Sequence, residues 1–131
     1  TEKVLKEIRR ILKSNGKLLM KVPFLYPLHD EPRDFMRLTR HGFENLAQKY
    51  QYAIEECQAL GHPVETAALL SNIAITKTAL KWLTNKNPAL VLMIFLPIFI
   101  VCNNLLARFI SFISASDDFM PYSYRVVFIK T

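Results

Sequence analysis

The residues best equipped for chemistry lie close together. Val22 to Phe35 reads VPFLYPLHDEPRDF and holds three prolines, His29 and three acids. Histidine titrates near neutral pH without perturbation, so His29 is the candidate catalytic base for a hydroxyl acceptor. A structural use, with the ring bonded to a loop carbonyl, suits the same residue. Asp34 and Arg37 stand three apart, the spacing of a local ion pair that pins a loop to the start of a helix. Arg37 also carries the planar fork that holds an anionic group such as a phosphate. Tyr26, Asp34 and Arg37 are therefore the candidate substrate-binding residues. Pro23, Pro27 and Pro32 restrict the loop and lower the cost of ordering it. A rigid pocket wall is the expected form. His29, His41 and His62 share no ligand spacing such as HxxxH, so no metal site is expected.

Such a loop needs elements to hold it. Residues 2–13 place Val4, Leu5, Ile8, Ile11 and Leu12 on one helical face, and Asn15-Gly16 ends the helix as a left-handed cap would. Lys17 to Val22 is a short apolar run bounded by Gly16 and Pro23, which predicts a buried strand. After the loop, Thr39 is a good N-cap for a helix through Lys49 with Phe43, Leu46 and Ala47 inward. Tyr52 to Gln58 is a weaker strand, because Glu55-Glu56 interrupts its pattern, and Gly61-His62-Pro63 is a turn. Residues 64–83 predict an amphipathic helix with Leu69, Leu70, Ile73, Leu80 and Leu83 inward and Lys77 and Lys81 outward. Tyr124 to Lys130, YRVVFIK, is a clear strand. The rhythm is α/β.

Charge divides the chain sharply. Its 131 residues carry a net charge of +6, yet every acid lies in 2–65 or at Asp117 and Asp118. Between Thr66 and Ser116 the charged residues are Lys77, Lys81, Lys86 and Arg108. These bracket the apolar run ALVLMIFLPIFIVCNNLLARFISFI and do not interleave with polar and aromatic residues. That pattern points to an anionic membrane surface and away from nucleic acid. No charge lies between Lys86 and Arg108, a stretch that at ~1.5 Å per residue reaches ~30 Å, the thickness of a hydrocarbon core. Pro97 is expected to kink or break that run. If Tyr124–Lys130 pairs with Lys17–Val22, both lie on one side of any membrane and a single crossing is excluded. A broken hairpin that dips and returns, a helix in the interface, and an apolar cap on the sheet or a dimer contact remain. Cys57 and Cys102, far apart in unlike surroundings, suit free thiols in a reducing compartment. A cytoplasmic protein, peripheral on a membrane, is expected.

The segment VLKEIRRILKSNGKLLMKVPF resembles the second half of a class I S-adenosylmethionine-dependent methyltransferase. There a helix ends in a Lys-Pro-Gly-Gly-like turn before the fifth strand. Here the turn is Lys13-Ser14-Asn15-Gly16. HDEPRDFMRLTRHGF is similar to a subgroup with His-x-x-Pro-x-Asp-Phe-x-Arg-x-Thr, matched by His29, Pro32, Asp34, Phe35, Arg37 and Thr39. The Ala-Gly-Phe usual before the sixth strand is replaced by Tyr50-Gln51-Tyr52, and YRVVFIK is similar to the seventh strand.

The resemblance implies a partial Rossmann-like sheet of strands five, six and seven, with the seventh antiparallel between the others. It divides the chain into 1–63 and 117–131, the core, and 64–116, an apolar helical insertion. The implied cofactor is S-adenosylmethionine, but this sequence has only Gly16, Gly42 and Gly61 and no GxGxG. The cofactor site is therefore expected in a missing N-terminal half, a partner of these residues. The acceptor is expected to be lipid-linked, quinone-like or a glycan. The alternative is a non-enzymatic, membrane-associated interaction module derived from the same fold.

Overall fold

In the computed structural model, which describes residues 2–29 and 31–131, the chain divides into two compact units. One comprises residues up to Leu60 together with Pro121–Thr131, and the other is Gly61–Met120. The first unit is a three-stranded antiparallel sheet with helices, so the protein is mixed α/β. Its elements are α1 (Glu2–Ile11), β1 (Lys17–Pro23), α2 (Arg40–Lys49), β2 (Tyr52–Leu60) and β3 (Ser123–Lys130). The strand order is β1-β3-β2, and β3 is antiparallel to both neighbours. The last strand thus occupies the middle, the placement implied for a seventh strand.

Strand alternation sorts the residues. Tyr124, Val126 and Phe128 of β3 share one face with Leu18, Met20 and Val22 of β1, and Phe43 and Ala47 of α2 and Leu5 of α1 join them in the core. Phe43 and Phe128 are fully buried. Aromatic rings run along this face: Phe43 and Phe24 each meet Tyr124 edge-on at 5.7 and 5.5 Å, and Tyr52 stacks on Phe128 at 5.4 Å. The buried Tyr52 hydroxyl donates to the Leu5 carbonyl at 3.0 Å, tying α1 to the sheet.

The opposite sheet face differs from expectation. β1 is not buried on both sides; its residues alternate, and Leu19 is 66% exposed. That face carries ion pairs instead, Arg125 with Glu56 at 2.7 Å and Lys17 with Glu55 at 2.5 Å. Glu55 is the extra residue of a β-bulge, because Ile54 pairs with Phe128 and Glu56 with the next residue, Val127. The interrupted pattern in β2 is this bulge. Thr39 caps α2, its Oγ1 accepting from the Gly42 N–H at 3.2 Å. Asn15 takes the left-handed φ of 60°, and a Cβ on Gly16 would lie 2.8 Å from the Lys13 carbonyl oxygen, so the turn needs glycine there. α1 itself ends earlier, at Ile11, and Val4 and Ile11 are exposed.

The second unit is a helical hairpin. α3 (Pro63–Thr84) leads through a tight turn, with Lys86 at φ 50°, to a 3₁₀ segment (Pro88–Phe95) and then α4 (Leu96–Ile113). Pro97 breaks the run and does not kink it: it stands in the first turn of α4, where its missing N–H costs no intrahelical bond. Residues 89–113 are thus a 3₁₀ segment followed by a helix. Glu65 at the start of α3 meets Arg108 (3.1 Å) and Ser111 (2.6 Å) near the end of α4, so the helices run antiparallel. Midway, the Asn103 amide donates to Asn72 Oδ1 and Ser71 Oγ, both at 2.9 Å, and the Asn72 amide donates to Asn104 at 2.8 Å. Small residues close the helix contact: Thr66, Ala68, Ala79 and Ala107 are buried, whereas Leu80 and Leu83, expected inward, are exposed.

Core and surface positions of the sheet should respond differently to truncation. Phe128→Ala is expected to lower stability by roughly 3–5 kcal/mol, and Leu19→Ala by less than about 0.5 kcal/mol. Amide exchange of β3 in the full chain measures both, and equal effects would contradict the one-sided core.

Candidate functional site

The loop leaves the carboxyl end of β1. Backbone bonds fix its departure. The Phe24 N–H donates to the Tyr122 carbonyl at 2.9 Å, extending the β1–β3 ladder by one step. Arg37 then gathers the loop. Its guanidinium forks onto Asp34, with Nη2 2.6 Å from Oδ2 and Nη1 bonded to Oδ1. Nη2 also reaches the carbonyls of Tyr26 (3.4 Å) and Pro27 (3.5 Å). The His29 N–H donates to Asp34 Oδ2 at 3.3 Å. One acid and one base therefore tie both limbs of the loop together.

This arrangement occupies two candidate substrate-binding residues. The Asp34 side chain is only 6% exposed. Its bond to Arg37, with help from the His29 N–H, holds its carboxyl down to about 2, and Asp34 in turn raises the Arg37 pKa. The fork that could hold an acceptor's anion is engaged by Asp34. In this conformation the pair shapes the loop.

His29 and Tyr26 stand differently. The rings meet edge-on at 5.3 Å. His29 Nδ1 lies 3.1 Å from the Pro27 carbonyl oxygen. A carbonyl can only accept, so Nδ1 carries the proton, and in the neutral ring the lone pair resides on Nε2. That tautomer suits a proton acceptor. Both rings line an open pocket of about 300 Å³ with Lys21, Pro23, Tyr122 and Ser123. Lys21, Tyr122 and Ser123 escaped the reading of the sequence. The signal for them was strand pairing: β1 and β3 in register set Pro23 opposite Ser123, so the start of β3 completes the wall begun by β1.

Among the described residues no group of three His, Cys, Asp or Glu is placed to hold a metal ion. The glycines do not form a cofactor cradle. Gly16 closes the turn before β1, Gly42 lies within α2, and Gly61 adopts φ 99° in the turn before α3. No protein-family model, curated protein or solved structure matches the chain.

The Asp34 lock has a definite pH dependence. A carboxyl held near 2 when folded and near ~3.9 when unfolded stabilises the loop fully above ~4 and loses that contribution as pH falls through about 2. The His29 amide resonance should titrate with a midpoint near 2 in the full chain and lose this titration in Asp34→Asn. A midpoint near 4 would contradict the lock.

Proposed function

We propose that these residues form the acceptor-side half of an S-adenosylmethionine-dependent methyltransferase, held at a membrane by a helical hairpin. The observation that carries the enzymatic reading is the strand order. β3 lies antiparallel between β1 and β2, as the resemblance implies for strands seven, five and six, and the pocket opens at the carboxyl end of β1. The residues present do not fit the cofactor, so its site belongs outside them. β1 is an edge strand among the described residues, and its unpaired N–H and C=O groups suit a further strand from the missing half. Within this chain, His29 Nε2 is the group able to take a proton from a hydroxyl acceptor, and Tyr26 walls the acceptor's pocket.

The membrane reading rests on what the hairpin leaves uncovered. Most of the large exposed apolar side chains belong to it; Ile94, Phe109 and Phe112 are examples. Pro88–Ile113 is long and apolar enough to cross a bilayer, and none of its most apolar eighteen residues is buried. α3 has 22 residues, about 33 Å at ~1.5 Å each, which matches a hydrocarbon core of ~30 Å. Polar groups mark both ends. Glu65, Arg108 and Ser114 stand at the base, and Lys81, Asn85, Lys86 and Asn87 at the tip. The Asn72–Asn103–Asn104 bonds satisfy one another in between, as amides in lipid must. Two passes return the chain to the side it left. Lys77, Lys81 and Lys86 then lie toward one headgroup layer, Lys77 by snorkelling.

A non-enzymatic membrane module is the second reading, and the absence of a glycine cradle in this chain favours it. One experiment separates the two. The full-length protein in detergent is given isotopically labelled cofactor and a membrane lipid extract. Label is expected in the organic phase, reduced about 10²–10⁴-fold by His29→Ala. A full-length protein that binds no cofactor would leave only the module.

Two further outcomes are expected of the hairpin. The protein should stay with membranes through an alkaline carbonate wash. Changing Lys77, Lys81 and Lys86 to Gln should weaken capture by anionic vesicles by about tenfold or more, at ~1 kcal/mol per lysine near the surface. Release by carbonate would refute insertion.

A further inference from the structure

We infer that the pocket beside β1 binds a phosphate group between the Lys21 ammonium and the Ser123 hydroxyl. Ser123 is only 4% exposed, and its Oγ has no hydrogen-bond partner among the described residues. A buried hydroxyl left unpaired is costly, and such groups are normally satisfied. Ser123 lines an open pocket; its Oγ is buried in this rotamer, and a turn about χ1 brings it to a ligand oxygen that supplies the missing bond.

The charge of the pocket selects the ligand. Three cations occupy this face of β1 and β3. Lys17 pairs with Glu55 and Arg125 with Glu56, whereas Lys21 has no carboxylate partner among the described residues. Its ammonium instead lies over the Tyr122 ring, 5.7 Å from the centroid. Among the described residues no acid lines the pocket. The Asp34 carboxylate lies 3.5 Å from His29 Nδ1 and is neutralised by Arg37. An ammonium and a hydroxyl that have no partner among the described residues, in one pocket, suit an oxyanion. Phosphate, with its higher charge and three acceptor oxygens, uses a point-charge lysine better than a carboxylate does. Tyr26 and Tyr122 give the apolar flanks for the body that carries it.

As the acceptor's phosphate, this group deepens the methyltransferase reading and rests on it. The binding itself is measured without methyl transfer. The full chain in zwitterionic micelles is titrated with inorganic phosphate and followed by its amide resonances. Saturable shifts are expected at Lys21, Tyr122 and Ser123. Lys21→Met should weaken binding about tenfold or more and Ser123→Ala several-fold, while Lys17→Met leaves it unchanged; the β3 resonances report that each variant is folded. Bicelles containing phosphatidic acid, set against glycerol phosphate, distinguish a lipid headgroup from a soluble ester, and either source supports the inference. Acetate binding as tightly as phosphate would overturn it, as would wild-type affinity in Lys21→Met. Phosphate bound by a full-length protein that transfers no methyl group would keep the pocket and discard the enzymatic reading.

Discussion

The pairing of β3 with both other strands is the constraint on which the rest depends. β3 has hydrogen-bonded neighbours on each side, and its Tyr124, Val126 and Phe128 supply the centre of the core. Without β3, β1 and β2 have no common partner and the aromatic row has no middle. The loop depends on it too, because the Tyr122 carbonyl anchors Phe24 and Ser123 closes the pocket. A strand from the end of the chain thus holds together elements from its beginning. The Tyr122 N–H also donates to the Leu60 carbonyl at 3.1 Å, so the points where the chain departs for the hairpin and returns from it adjoin. Any membrane the hairpin enters must therefore be left on the side of entry.

Much of the fold was legible because local chemistry and long-range pairing agreed. Thr39 caps α2, Asn15 takes the left-handed turn, and YRVVFIK could hardly be other than a strand. The bulge at Glu55 was visible as a fault in the alternation of β2. Of the kink or break expected at Pro97, the structure has the break: a 3₁₀ segment ends before it and Pro97 begins a helix. Leu80 and Leu83 were expected inward on periodicity alone. In a two-helix hairpin the narrow contact goes to the small residues Ala68, Ala79 and Ala107, and the large ones turn outward.

The site was half legible. Loop residues carry conspicuous side chains, and His29, Tyr26, Asp34 and Arg37 stood out for that reason. Their roles depended on geometry. Asp34 and Arg37 engage each other, while the His29 Nδ1–H donates to the Pro27 carbonyl and so leaves the ring lone pair on Nε2. Lys21 and Ser123 gave no local signal, since a lysine on a strand and a serine before a tyrosine are ordinary. They matter because β-sheet register sets them beside the loop, far away in sequence. The phosphate pocket is thus a product of the same pairing that builds the core.

The central claim, that the hairpin crosses and returns while the sheet stays on one side, is most directly tested by mapping single cysteines. In a background with Cys57 and Cys102 replaced by serine, Ser14→Cys, Asn85→Cys and Thr131→Cys are exposed in sealed membranes to an impermeant maleimide. Positions 14 and 131 should react from the same side, and position 85 only from the other. Labelling of 14 and 131 from opposite sides would contradict the account at its root.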